Sequence, residues 1–566
     1  MFSNGNAASH GDVVQEVSNR LHVDIVPGTE VLADFEGAHF VHGGKENVVL
    51  VPQPHDDLHD PLNWSPAWKR TILANTAAYM FLGNFTSLSI SPMTPVLMAE
   101  FNVNITKVAL LTGVCILALG YANFAIIPCA NVLGRRPTAL ACSLICIAAN
   151  IWEALAQSYK SMLGGRALIG IGAATSESLM PLVIADLVFL HERGRWMGVY
   201  FWAFFTGAWL GPVIAGTLAE YATWRWFFWL TTIMQCTSFV MLVLFFPETK
   251  YHRDNALLDL ARATDIIEPS PTGAVKTEIG HFNEFQEVQL PSASPATATA
   301  IEQAQPRVSP FFGKGSPSNN QRWNVWFEID KIGLQRLPRD VAVPFYIATF
   351  PIVIFAACCT AFPACALLVL NLLESPAFSG PPFDFAPSSV GYTNFALMGG
   401  GIFGLFTAGP LSDWTSMVLT KRNRGVREPE MRLLSLLPFV LIGLIGMTVS
   451  ALGFQHKWPW EVIVIVGFGF SGTMVMAIPT IGITYAVDSY KPVAGEIMVV
   501  ATVLKNTFAY GMTYYINDWA IRSGYIPPVM MLMALTIGIP LLGIVVFWFF
   551  GKRCRRWTRS SKVHDF

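Results

Sequence analysis

Apolar residues in this chain come in long stretches of about twenty, not in alternating or heptad patterns. A bilayer core about 30 Å thick needs roughly 20 apolar residues in a helix. Lipid offers no partner to a free backbone N–H or carbonyl, so each stretch predicts a membrane-crossing helix. The pattern gives six spans at 71–97, 108–128, 138–156, 162–188, 196–218 and 226–246. Six more follow at 345–372, 389–411, 433–454, 460–486, 494–516 and 526–550. The chain thus divides into an N-terminal segment 1–70, a six-helix unit 71–249, a central loop 250–343, a second six-helix unit 344–550 and a basic tail 551–566. Residues 291–300 of the loop are low in complexity and are expected to be disordered. Farther on, Trp323, Val325, Trp326, Ile329, Ile332 and Leu337 recur at near-helical spacing. That fits either an amphipathic helix on the membrane surface or a simple tether.

Composition agrees: 53% of the 566 residues are hydrophobic and only 13% are charged. A soluble domain carries about 25% charged residues, so much of this surface is expected to face lipid. A net charge of −1 leaves no basic face for nucleic acid. The nine cysteines lack metal-ligand spacing and none lies in an external loop, so neither a metal site nor a disulfide is expected. Cys358 and Cys359 read as small core filler. No Gly-x-x-x-x-Gly-Lys-Ser/Thr loop is present, which argues against an ATP-driven pump. Gly399-Gly400-Gly401 reads as close helix packing, and no cofactor or enzymatic constellation is visible. The first apolar run begins near Thr71, behind a polar segment too long for a cleavable signal.

Lys and Arg near the span ends set the orientation. One set of loops holds Arg135, Arg136, Arg193, Arg195, Lys421, Arg422, Arg424, Arg427, Arg432 and Lys491. The opposite set holds only Lys107, Lys160, Arg225, Lys457 and Arg522. The richer set, both termini and the central loop are expected in the cytoplasm, with the plasma membrane as the default site. The sequon Asn104-Ile-Thr106 would be external but hugs the membrane, so it is expected to stay unglycosylated.

Several motifs sharpen the picture. The loop after the second span reads Ala130-Asn131-Val-Leu-Gly134-Arg135-Arg136-Pro137, and six spans later comes Gly409-Pro-Leu-Ser-Asp413-Trp414. Matching turns in two halves suggest an internal repeat. An acid at such a helix end can face a neighbouring helix N-terminus and latch one side shut. With Asn131 in the first copy, the stronger latch is expected at Asp413. The fourth span opens Gly165-Arg166-x-x-x-Gly170, the fifth contains Gly207-Ala-Trp-Leu-Gly211-Pro212-Val-Ile-Ala-Gly216, and the sixth ends Pro247-Glu248-Thr249. The set resembles the major facilitator superfamily. The pieces Asp60-Pro-Leu-Asn-Trp64-Ser65, Arg427-Glu-Pro-Glu-Met-Arg432 and Tyr485-Ala-Val-Asp488 look like fungal members of its twelve-span drug:proton antiporter group. The pattern departs at Asn131, where an Asp is usual, and at Ala215, where a Gly is usual. The resemblance implies an all-α membrane fold: two six-helix bundles related by a pseudo-twofold axis, working by alternating access. It also implies a proton-handling role for Arg166 and an antiporter-type helix face at Gly207, Gly211, Pro212 and Gly216.

Charges inside spans matter most, since each costs about 2.5–3.5 kcal/mol at mid-membrane. Glu177 sits mid-span, and Arg166 lies eleven residues earlier on the same face, about 16 Å away along the axis. Glu177 reads either as a proton or substrate-cation site or as a buried carboxyl bonded to a neighbouring helix. Arg166 either handles protons or snorkels to the outer edge, where Glu153 could reach it. Asp186 with His191, Glu192, Arg193 and Arg195 suggests an ion-pair network in a loop. Lys505 lies in the eleventh span, where Thr502, Asn506, Thr513 and Asn517 form a polar stripe that either lines a cavity or bonds other helices. Asn84, Thr86, Tyr392 and Asn394 are further cavity candidates. The expectation is proton-coupled export of a small organic molecule by a monomer in lipid. An uptake permease, for a nutrient or an organic cation such as a polyamine, and a non-transporting sensor are the alternatives.

Overall fold

The computed structural model describes residues 30–31, 57–188, 190–251, 313–323, 331–423, 426–490 and 493–558. The N-terminal half contains α1 (Pro66–Ser87), a short α2 (Thr94–Phe101), α3 (Ile105–Leu133), α4 (Arg135–Ala154), α5 (Tyr159–Leu187), α6 (Leu190–Tyr221) and α7 (Trp224–Phe245). After a short α8 (Asn319–Trp323) and α9 (Lys331–Ile347), the second half contains α10 (Pro351–Phe378), α11 (Pro387–Tyr392), α12 (Asn394–Arg422), α13 (Leu436–His456), α14 (Gly469–Ser489), α15 (Ala494–Ser523) and α16 (Ile526–Thr558). One turn of π-helix, Val462–Phe468, leads into α14. The described β structure is a two-residue antiparallel pair, Glu30–Val31 with Val426–Arg427.

Local chemistry sets the helix ends. Pro66, Pro351 and Pro387 stand in the first turns of α1, α10 and α11, where a missing N–H costs nothing. Asn104 caps α3 by accepting from the Lys107 amide at 3.1 Å, so the sequon side chain is already engaged in a helix cap. Gly134 closes α3 at φ 109°, a conformation that favours glycine.

Packing is paired across the two halves. In the first, α1 lies on α6, α3 on α5 and α4 on α7; in the second, α10 lies on α15, α12 on α14 and α13 on α16. Between the halves, α3 packs on α15, and α6 packs on α11 and α12. Exchanging the halves maps one interface onto the other, so a pseudo-twofold axis runs between the bundles. We call the side holding the start of α1 and the end of α16 the terminal face, and the other the opposite face.

Two boundaries differ from the sequence expectation. The seventh span starts at Pro351 and reaches Phe378, six residues beyond the expected end at 372. The preceding residues instead close α9, which packs on α3 and α15 and stacks Phe345 on Phe124 at 4.8 Å. The eighth span, α12, continues to Arg422, because nothing in residues 415–421 breaks a helix. Gly409 and Asp413 are therefore helical, and the second motif copy is not the turn that Gly134 makes. Among the described residues, ten helices are long and apolar enough to cross a membrane on length and composition alone, and α1 and α15 are not among them. Lys505, Asn506, Thr513 and Asn517 lower the hydropathy of α15, yet it packs among the others as a full span.

On the terminal face, residues 313–323 dock on the first bundle. Gly315 exchanges backbone bonds with Asn63 and Ser65 at 3.0 and 2.9 Å. The segment closes against Trp64, which is fully buried. Residues 291–300, with Val325, Trp326 and Ile329 of the expected amphipathic stretch, lie outside the described residues. α9 covers the later part of that stretch.

Candidate functional site

Glu177 lies in the middle of α5 and is 4% exposed. Its carboxylate meets Lys505 Nζ of α15 at 2.5 Å and accepts from Asn506 Nδ2 at 3.3 Å. Glu177 belongs to one bundle, Lys505 and Asn506 to the other. The Lys505 ammonium also sits 5.3 Å from the centre of the Phe204 ring of α6, within cation–π range. These groups border a cavity of about 110 Å³ between the bundles. Its walls are mainly apolar and aromatic, with Tyr200, Phe201, Phe204 and Phe205 on one side and Leu367 and Leu368 on the other. Polar groups enter from Asn84, Thr360, Asn371 and Thr502.

The structure therefore gathers Glu177, Lys505, Asn506, Thr502 and Asn84 in one place. Tyr392 needs correction. It is 46% exposed, stacks on Phe395 and lies away from the cavity lining, because α11 turns it off the bundle interior. Thr86 is buried and its hydroxyl donates to Leu82 O within α1. Thr513 and Asn517 continue the polar stripe of α15 inward. Thr513 packs where Gly113 of α3 leaves room, and Asn517 borders a small gap beneath Ser91.

Arg166 does not snorkel. It is fully buried and donates to the carbonyls of Leu111 at 3.3 Å and Thr86 at 3.0 Å, and to that of Ser87, with Glu153 3.7 Å away. Thr86 and Ser87 close α1, so Arg166 caps the negative end of that helix. It makes no contact with Glu177.

Sequence reasoning missed another buried carboxyl, Glu374, fully enclosed near the opposite end of α10. It accepts from Asn394 Nδ2 at 3.2 Å and Thr393 Oγ1 at 3.4 Å. The seventh span had been drawn to end at 372, which left Glu374 in an assumed loop; reading hydropathy past it to Phe378 would have found it. Asn394 is thereby a partner of Glu374 and not a cavity residue.

On the terminal face, Glu248 accepts from the backbone amides of Arg135 and Arg136 at 2.9 and 3.1 Å, at the N-terminus of α4. Asn131 accepts from Arg135 at 3.2 Å, and Arg135 pairs with Asp186 at 3.2 Å. Arg136 is buried and holds the carbonyls of Val243 and Arg322. The side chains of His191, Glu192, Arg193 and Arg195 lie outside the described residues. Asp413 pairs with Arg432 at 2.8 Å, and Arg432 reaches Asp488 at 2.8 Å. All three belong to the second bundle, so these two contacts brace that bundle. Gly409 makes no close approach.

The glycine face of α6 divides its work. A Cβ at Gly207 would stand 2.2 Å from Phe81 O, and one at Gly211 2.5 Å from Phe85 O, so these two seat α6 on α1. At Gly216 it would stand 2.3 Å from Pro387 O of the other bundle. The carbonyl of Pro212 lies close to Gly391 of α11, where a Cβ would stand 2.8 Å from it. Among the described residues, several polar contacts join the bundles near this end. Ser91 Oγ donates to Asn371 O, Thr106 Oγ1 donates to Asp518 at 2.6 Å, and Glu220 accepts from the Ser388 amide at 3.1 Å.

Residues 73–511 match the family model of the Major Facilitator Superfamily. The chain belongs to that superfamily. It is a multi-pass membrane transporter, with the two-bundle fold that defines the group. Among curated relatives it is similar to Protein HOL1 of Saccharomyces cerevisiae, 24% identical over 96% of this chain and 98% of the relative. It is likewise similar to the probable efflux pump mfs2 of Aspergillus flavus, 24% identical over 83% and 99%. Among solved structures, the xylose transporter XylE of E. coli, in a partially occluded inward-open conformation, aligns with a TM-score of 0.51 at 12% identity, covering 85% of this chain and 99% of that one. At that identity the likeness concerns the superfamily fold alone.

Proposed function

We propose that this transporter couples proton movement to the export of a small organic molecule, with Glu177 as the coupling carboxyl. The observation that carries the reading is the Glu177–Lys505 pair. It is enclosed, joins the two bundles, and stands in the cavity between them. Removing water strengthens such a pair, and separating it leaves both charges uncompensated. A proton on Glu177 neutralises the carboxylate and frees Lys505, so protonation and bundle movement become linked. Export is favoured by the resemblance of α6 to the antiporter signature and by a relative named a probable efflux pump. The distribution of Lys and Arg supports a cytoplasmic terminal face, and the plasma membrane is the proposed site.

The test measures accumulation of labelled drugs, polyamines and small metabolites in cells with and without the protein, with and without a protonophore. Export requires lower accumulation that the protonophore abolishes; raised accumulation would overturn the direction and indicate uptake. Glu177→Gln should remove pH and protonophore dependence. Full coupled transport by that variant would overturn the role of Glu177.

A further inference from the structure

We propose that Asn371 is a substrate-recognition residue, and that the transported molecule carries a neutral group able both to donate and to accept a hydrogen bond there. The inference rests on the cavity being the transport site and adds a class of substrate group to that reading.

Thr360, Ala364, Leu367, Leu368 and Asn371 follow three- and four-residue steps along α10 and face the cavity together. Asn371 is 2% exposed, and both its amide oxygen and its amide nitrogen lack a partner among the described residues. Asn150 of α4 also lacks partners among the described residues but lies away from the cavity, whereas the other cavity asparagines are engaged, Asn506 donating to Glu177 and Asn84 to Met80 O at 3.4 Å. Buried amides are as a rule met by a partner, and Asn371 is the unpartnered asparagine that lines the cavity. The main chain is fixed as well, because Asn371 O receives the Ser91 hydroxyl of the other bundle at the closed opposite face.

Distance along the helix adds a constraint. Cys365 Sγ lies 3.9 Å from Lys505 O, which sets the two helices level at that point. Asn371 is six residues on, about 9 Å toward the opposite face. A molecule that meets Glu177 at one end and Asn371 at the other therefore needs its hydrogen-bonding group about that far from the end that meets Glu177. A carboxamide or a hydroxyl has the required donor and acceptor.

The test uses the purified full-length protein and two probes, benzamide and acetophenone. They share ring and carbonyl, but only benzamide donates. Thermal-shift titration should show benzamide binding at least about tenfold more tightly, since a site built to bond a donor rejects the analogue that lacks it. Asn371→Leu should erase that preference while acetophenone still binds. It should not lower the melting temperature, because the amide has no protein partner to lose. Asn371→Ala should erase the preference too, a second variant should Leu prove too bulky. Absence of a preference in the native protein, or a preference unchanged in both variants, overturns the proposal. The preference is read by equilibrium binding with no proton gradient, so failure of proton coupling and failure of this inference show up in separate measurements.

Discussion

A carboxylate and an ammonium 2.5 Å apart inside a membrane bundle are each costly alone and tolerable together. Lys505→Met should therefore lower the melting temperature sharply, since stripping one partner from a buried pair costs about 3–5 kcal/mol. Adding Glu177→Gln should recover most of that loss without restoring coupled transport, as melting curves and a pH-jump transport assay would show. Sequence made both residues conspicuous, because a charge inside an apolar run needs a reason. It could not pair them: 328 positions separate Glu177 from Lys505, and only the packing of the two bundles brings α5 beside α15. Asn371 was illegible for a related reason, since one amide in a span is ordinary until its lack of partners is known.

Among the elements, α6 shows how one stripe of small residues can serve two interfaces. Gly207→Val forces α6 off α1 within a bundle, so the protein should melt at a lower temperature. Gly216→Val meets Pro387 across the bundles, and it should instead favour separation at the opposite face. A cysteine at Ser91 should then react faster with an impermeant thiol reagent; unchanged labelling would contradict that division. Spacing made the stripe on α15 readable, because Thr502, Asn506, Thr513 and Asn517 share one face whatever they touch. It did not reveal that α12 runs through the second motif copy, since a motif that marks a turn in one half suggests a turn in the other. Tyr392 misled for the opposite reason: its chemistry suited a cavity, and only the short α11 decides where it points.

For the whole molecule, the polar contacts at the opposite face must part if that face is to open. Cysteines replacing Thr106 and Asp518, once cross-linked, should stop transport until reductant is added. Transport continuing with the link intact would mean that this face need not separate there. The twelve-helix layout was readable because lipid leaves a chain so few options, whereas the closed face depends on side chains that meet only after both bundles have formed. The cross-bundle pair has an electrical consequence too. With Glu177 and Lys505 both charged, their charges cancel, so a crossing made with Glu177 deprotonated moves no net charge from these two groups. A membrane voltage worth about 2.3 kcal/mol per elementary charge per 100 mV has nothing to pull on in that step. Once a proton neutralises Glu177, Lys505 stands uncompensated, and the same voltage drives or opposes the crossing of the protonated carrier.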